Sequence, residues 1–472
     1  MASAARLWLQ EERSGAPGNR TLSKFNFSFK FINLFFIKSI NSFKNNFTSI
    51  INPNSFICLM IKKYFTISII KEARIDENRS PFTPDQIQVL TDKFSNLHVF
   101  VQPSKKRCFK DEDYAKAGAK IKEDISHSDI IFGVKEVEIS KLIENKCYLF
   151  FSHTTKVRNY INQATQDKVI IYKKELLREI LKKNITLIDY ENIREVSGKG
   201  YRYLGFGRFA GIVGCYNTLN LYLKLQKEKS LPRAFEINNY EKIKELLSKQ
   251  NFNKLKILQT GRGNVAKGSM EVLKHANIKQ VSINDYLNKK YNEAVFCNIS
   301  TREYVERNDG KDYSVQDFTS NPHEYKSKVK NYLFDTDMLI TGHYWEPKFP
   351  KLFYPNQINE FKNLKIIGDI TCDINGAVPT TVRSTTIAKP YYSIDINSMK
   401  EIDLGSKGIA VMAVDNLPSE LPNESSEEFG NSIISEVLPY LINQDDGRIN
   451  RATTASQGKF CPPFSYLEDF IR

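Results

Sequence analysis

Gly261-Arg262-Gly263-Asn264-Val265-Ala266 follows the apolar run Leu255 to Gln259 and leads into a helical stretch, Lys267 to His275. A GxGxxA turn between a strand and a helix lets the chain reverse tightly and brings backbone N–H groups against a pyrophosphate. Gly261, Gly263, Asn264, Val265 and Ala266 are therefore candidate dinucleotide contacts. The adenosine-ribose ligand is expected at the end of the next strand, about 20 residues on. The run Lys279 to Ile283 puts Ser282 near that place and Asp285 slightly past it, which leaves both NAD and NADP open. Later runs, Met338 to Ile340, Lys365 to Ile370 and Ile409 to Val414, set Asp369, Asp373, Asp415 and Asn416 at or beyond strand ends.

A second set lies earlier. Arg79 falls in the loop after the run Phe65 to Ile70, Lys135 ends the run Asp129 to Val134, His153 follows Cys147 to Phe151, and Asp189 with Glu191 closes Ile185 to Ile188. Each alone reads as a solvated loop charge. Together they offer an imidazole that exchanges protons near neutrality, an amine, carboxylates and a guanidinium suited to carboxylates.

The elements that would position these residues alternate. In the first half, the strands just named and Leu97 to Val101 interleave with helical segments Pro84 to Phe94, Asp111 to Ile121 and Val169 to Lys183. Such alternation implies βαβ units, a mostly parallel sheet, and ligands at the carboxyl ends of its strands. Gly205 to Lys227 reads as a helix in its later part, with Gly211 and Gly214 permitting close packing. Glu424 to Ile442 reads as another. The expected fold class is α/β, with two Rossmann-like parallel-sheet domains joined by long helices across an interdomain cleft. The expected boundaries are a substrate domain at 60–204, a dinucleotide-binding domain at 205–415, and a linking helix returning to the first domain at 416–472.

Composition agrees with a multidomain globular chain: 472 residues, 41% hydrophobic, formal net charge +14. The longest apolar run, Phe31 to Ile37, is far short of the roughly 20 residues that span a bilayer, so no membrane role is expected. Seven scattered cysteines without a CxxC pair favour a reducing compartment, the cytosol by default. Six histidines without metal-binding spacing argue against a metal site.

Residues 1 to 59 stand apart, with seven basic and two acidic residues and a Phe/Asn/Ile/Ser/Lys-rich stretch lacking periodicity. They read as a non-native extension ahead of an initiator at Met60, or as a mitochondrial targeting segment. The rest of the chain, at about +9, suits acidic substrates or cofactor phosphates and does not require nucleic acid.

Several longer stretches carry a resemblance. KEARIDENRSPFTP (71–84), GVKEVEI (133–139), FFSHTTK (150–156), LIDYENI (187–193), GFGRFAGIVGCYN (205–217), TGRGNVAKG (260–268), GHYWEPKFPKLF (342–353), GDITCDINGAVP (368–379) and VDNLPSELPNESSEEFG (414–430) occur in family order. The chain resembles the lysine-forming saccharopine dehydrogenases and the lysine-ketoglutarate reductase module of bifunctional lysine-degrading enzymes. Both lie within the alanine dehydrogenase and transhydrogenase superfamily.

The resemblance implies Lys135 and His153 as catalytic residues, Arg79 as a carboxylate-binding arginine, and Glu136 and Glu191 as acidic neighbours of the pair. It further implies Arg202 and Phe206 on the substrate side, and Asp373, Asp415 and Asn416 around the nicotinamide. The reaction implied is NAD(P)-dependent interconversion of saccharopine with lysine and 2-oxoglutarate, by a monomer or homo-oligomer. The second module of the bifunctional enzymes is expected to be lacking, from the length of sequence at hand. The alternatives are an alanine dehydrogenase-like enzyme and a noncatalytic dinucleotide-sensing or nucleic-acid-binding protein.

Overall fold

The computed structural model describes residues 64–155, 157, 167–195, 200–442 and 444–472. The expectations for residues 1–59, and the Lys156 of the FFSHTTK stretch, lie outside the described residues.

The first sheet is built from β1 (Phe65–Ile69), β2 (Leu97–Val101), β3 (Lys120–Ile121), β4 (Ile130–Phe132), β5 (Cys147–Phe150) and β6 (Thr186–Asp189). They lie in the order β3-β2-β1-β4-β5-β6, every pair parallel. Their apolar runs are buried on both faces, as a helix-covered parallel sheet requires. Helix α1 (Pro84–Lys93) starts at a Thr83–Gln86 capping box with Pro84 in its first turn, and buries Ile87 and Leu90. Helix α2 (Lys168–Lys182) is capped by Asp167 and buries Ile170, Leu176, Leu177 and Ile180.

Helix α3 (Gly207–Leu225) is buried along most of its length and leads to the second sheet. This sheet opens with β7 (Lys256–Thr260), α4 (Asn264–His275), β8 (Lys279–Gln280), α5 (Ile283–Asn288) and β9 (Val295–Ile299). After α6 (Thr301–Tyr304) and a separate hairpin of β10 (Val305–Arg307) and β11 (Tyr325–Ser327) come β12 (Met338–Thr341) and β13 (Ile366–Asp369). They are followed by β14 (Tyr391–Ile394), β15 (Glu401–Ile402) and β16 (Ile409–Met412). The order is β15-β14-β16-β13-β12-β7-β9-β8, parallel except for β14 and β15. Helix α4 begins at Asn264, earlier than the expected Lys267, so half of the glycine-turn motif is already helical.

Two glycines let α3 and α4 touch backbone to backbone. A Cβ on Gly211 would stand 1.9 Å from Val265 O, and one on Gly268 2.0 Å from Arg208 O. The remainder of α3 supplies Ile212, Val213, Tyr216 and Leu219 to a core shared with Ile257, Phe296 and Ile340 of the second sheet.

Helix α7 (Pro422–Glu436) leads the chain back, and β17 (Thr453–Ser456) and β18 (Lys459–Phe460) join the first sheet antiparallel, beside β6. The molecule is thus two parallel-dominated mixed α/β sheets, the first completed by the chain's last strands. Among the described residues no helix is long and apolar enough to cross a membrane.

Candidate active site at the strand ends

The neighbouring parallel strands β1, β4, β5 and β6 present Arg79, Lys135, His153 and Asp189 at one edge of the first sheet. His153 Nδ1 lies 2.6 Å from Glu136 Oε1, and Glu136 directly follows Lys135. Burial would raise the Glu136 carboxyl, but the hydrogen bond and charge of His153, aided by Lys135, hold it below the ordinary glutamate range. An ionised carboxylate accepts only, so His153 donates from Nδ1, which leaves Nε2 as the nitrogen facing chemistry. Burial lowers the Lys135 amine, Arg79 lowers it further, and Glu136 and Glu77 oppose both. Among the described residues Lys135 forms no salt bridge.

Arg79 is 3% exposed. Arg79, expected to bind a substrate carboxylate, has much of its fork engaged within the protein. Nε donates to Glu77 Oε1 at 2.7 Å, and Nη2 to Glu77 Oε2 at 2.5 Å and to Asn416 Oδ1 at 2.9 Å. The buried ion would be costly without those acceptors. Among the described residues Nη1 makes no hydrogen bond and could receive an anion. The guanidinium sits 3.9 Å above the Phe206 ring, which stacks on Phe429 at 4.4 Å, and Phe151 packs against both Phe206 and His153. This aromatic wall links the arginine to the imidazole.

Glu191 Oε1 accepts from Arg202 Nη1 at 3.1 Å, and Arg202 also donates to Leu204 O. Asp189, fully buried, is pushed up to about 6 by burial and by Glu191, against the hydrogen bonds of Ser152 and the Glu191 N–H. Its carboxylate accepts from Ser152 Oγ at 2.5 Å.

At the second sheet, Gly261 takes φ +101°, and a Cβ there would stand 2.4 Å from Gly342 O. Only glycine suits that place. Beyond it, a Cβ on Gly263 would meet nothing within 4 Å, so that side of the turn is open. Helix α4 begins there with neither a side-chain cap nor an acidic residue in its first turn. Uncapped N–H groups at the positive end of a 12-residue helix, facing open space, fit a dinucleotide pyrophosphate.

Ser282 is placed differently from expectation. Its hydroxyl accepts from Asp285 N at 3.1 Å as the cap of α5, and β8 is the edge strand, paired with β9 rather than β7. The strand between β7 and β8 is β9, and its end ties into the turn: Gly261 N donates to Ile299 O at 2.8 Å, and Asn298 Nδ2 to Gly261 O at 2.9 Å. Glu303, just beyond, pairs with Arg262 of the turn at 3.3 Å. Sequence reasoning passed over Arg262 and Glu303 because pairing order has no local signature. The only available signal was the β-branched and apolar run Val295 to Ile299.

Asp415 and Asn416 link the two sheets. Arg74 Nη2 donates to Asp415 Oδ1 at 2.7 Å, Asn416 Nδ2 to Asp76 O at 3.1 Å, and Ser419 Oγ to Asp76 O at 2.7 Å. Asn416 adjoins Arg79, while Asp373 stands beside Gly376 in the loop after β13. Cavities of about 340 Å³ beside Leu255 and Asp337, and about 480 Å³ beside Arg302 and Lys328, lie away from the Lys135 edge.

Two parallel-dominated mixed α/β sheets, one carrying the Lys135–His153 edge and the other the Gly261 turn, define a two-domain α/β protein of the Rossmann class. Residues 68–212 match the alanine dehydrogenase/PNT N-terminal domain and residues 273–459 the alanine dehydrogenase/PNT C-terminal domain. The chain belongs to the alanine dehydrogenase/PNT family. It is 29% identical over 443 residues to alpha-aminoadipic semialdehyde synthase of Arabidopsis thaliana, covering 83% of this chain and 40% of that one. The chain thus spans well under half of that relative's length. It is 24% identical over 401 residues to saccharopine dehydrogenase [NAD(+), L-lysine-forming] of Emericella nidulans, covering 80% of this chain and 92% of that one. Among solved structures an L-alanine dehydrogenase shares the fold, with a TM-score of 0.54 at 15% identity, covering 86% of this chain and all of that one.

Proposed function

We propose that this protein is an NAD(P)-dependent oxidoreductase that interconverts saccharopine, NAD(P)+ and water with lysine, 2-oxoglutarate and NAD(P)H. The observation that supports it most is the Glu136–His153 hydrogen bond beside the half-buried Lys135, whose amine is held below the ordinary lysine range, on the same edge as Arg79. The names of the synthase and saccharopine dehydrogenase relatives supply the substrate class.

Gly261, Gly263 and the N–H groups of Asn264, Val265 and Ala266 would hold the pyrophosphate, with Arg262 and Glu303 at the turn's rim. The dinucleotide, when bound, supplies the hydride acceptor or donor. The protein's own groups handle protons and charge. Lys135, with its proton affinity reduced, accepts the proton of the substrate's secondary amine. His153, oriented through Nδ1, uses Nε2 to deprotonate the water that attacks the imine, and later returns that proton to the departing amine. Nη1 of Arg79 and the half-exposed Arg202 receive substrate carboxylates, and Glu77 and Glu191 partly offset the positive charge of these two arginines. Asn416 and Asp415 hold the second domain against this edge, and Asp373 lies in the loop after β13 on the nicotinamide side.

A substrate and cofactor matrix tests this reading. NADH or NADPH oxidation that requires both lysine and 2-oxoglutarate is the expected outcome. Oxidation with pyruvate and ammonium instead would establish the alanine dehydrogenase-like alternative, which the structural likeness to L-alanine dehydrogenase keeps in view. Silence in every combination would overturn both.

A further inference from the structure

Glu72 lies in the loop after β1, is 6% exposed, and belongs to none of the roles above. Its carboxylate accepts from two consecutive backbone N–H groups, Val134 N at 2.6 Å and Lys135 N at 3.0 Å. Gly133, one residue earlier, packs closely on the same loop: a Cβ there would stand 2.7 Å from Ile70 Cδ1. The segment so held carries Lys135 and Glu136, and Glu136 in turn orients His153. One buried carboxylate therefore fixes the backbone under both proposed acid–base groups.

We propose that Glu72 is a positioning residue for this edge: as an anion it clamps the Val134–Lys135 backbone, and on taking up a proton it releases that clamp. The dual acceptance needs the ionised form. A protonated carboxyl keeps one good acceptor and turns the other oxygen's hydrogen toward an N–H. The charged and titratable groups facing Glu72 are Glu77 and Arg79 from its own loop, Lys106 from the loop after β2, Lys135 beyond β4, and Tyr190 beyond β6. Burial and the Glu77 carboxylate raise the Glu72 carboxyl to about 7, against the two N–H groups and Arg79, so the clamp switches within the neutral range.

The kinetic arm of the test rests on the dehydrogenase reading, whereas the structural arm does not. Amide hydrogen exchange of the full chain, corrected for intrinsic rates, is measured from pH 5.5 to 8.5 on the peptide containing Val134 and Lys135, with a β7 peptide as reference. Protection that falls at least tenfold toward pH 5.5 in the wild type, and is absent throughout in Glu72→Gln, is expected. Protection independent of pH in the wild type would overturn the proposal even if the variant did not fold. In the wild-type background that oxidises NAD(P)H, Glu72→Gln should lower kcat at least tenfold, leave KM for the dinucleotide within twofold, and abolish the acid limb of the kcat profile. An unchanged profile in a folded variant would sink the clamp and leave the dehydrogenase reading standing. A wild type without any activity would sink that reading and leave the exchange measurement to decide the clamp.

Discussion

His153 adopts φ +51°, a left-handed backbone rarely occupied outside glycine and asparagine, and in that conformation its ring reaches Glu136. If this arrangement serves proton transfer, His153→Gln should reduce kcat by about 10²- to 10⁴-fold, with little change in dinucleotide affinity. Stopped-flow turnover and equilibrium binding measured together check both halves. Two carboxylates beside the pair should give opposite pH signatures in stability. Glu136 is held below its ordinary 4.5, so its contribution is present above that value and fades as pH falls through the lower folded value. Glu72 rises from 4.5 to about 7, so the folded state keeps a proton that the unfolded chain has lost. Its effect is a loss of stability as pH climbs through that window, of about 3 kcal/mol in all. Relative to the wild type, Glu72→Gln should therefore gain stability between pH 4.5 and 7, as denaturant midpoints would show. Neither Glu72 nor the self-pairing of Arg79 with Glu77 was legible in the sequence. Both depend on loop geometry that spacing does not encode.

At the scale of elements, the glycine turn was plain in the sequence because its chemistry needs fixed residues at fixed spacing. Strands β1, β2, β4, β5, β6 and β7 were also legible from their continuous apolar runs. Strand order was not. The edge position of β8 comes from which strand the Val295–Ile299 run displaces, and the antiparallel β14–β15 pair and the β17–β18 hairpin are too short to stand out from loops. The glycine contact between α3 and α4 permits a sharp test. Gly268→Ala would place a methyl about 2.0 Å from Arg208 O, so the helices must separate. A loss of about 1–3 kcal/mol or more is expected, read as a lower Tm. Helix separation should also tilt the start of α4 and weaken dinucleotide binding. NADP+ or NAD+ at 100 times its Kd should add about 2.7 kcal/mol to wild-type stability, and less in the variant at the same concentration.

For the molecule as a whole, the two sheets meet through unequal contacts. Arg74–Asp415 is an exposed pair, with side chains 35% and 40% exposed, and such pairs contribute about 0–1 kcal/mol. Asn416 is 1% exposed and bonds both Arg79 and the Asp76 carbonyl. Asn416→Ala should destabilise by about 1–3 kcal/mol, because it strands buried polar groups, while Asp415→Asn should be nearly neutral. Chemical denaturation of the two variants side by side checks the contrast.

The pairing of β17 with β6 has a further consequence for how the chain is made. During synthesis the ribosome releases the whole second sheet before the strands that finish the first. The amino-terminal half must therefore wait with the flank of β6 uncovered until residues 453–460 emerge. An unpaired strand flank is a template for association with other chains. Nascent chains halted before Thr453 should be bound by chaperones at the early half, whereas the later half has every strand it needs to close on its own.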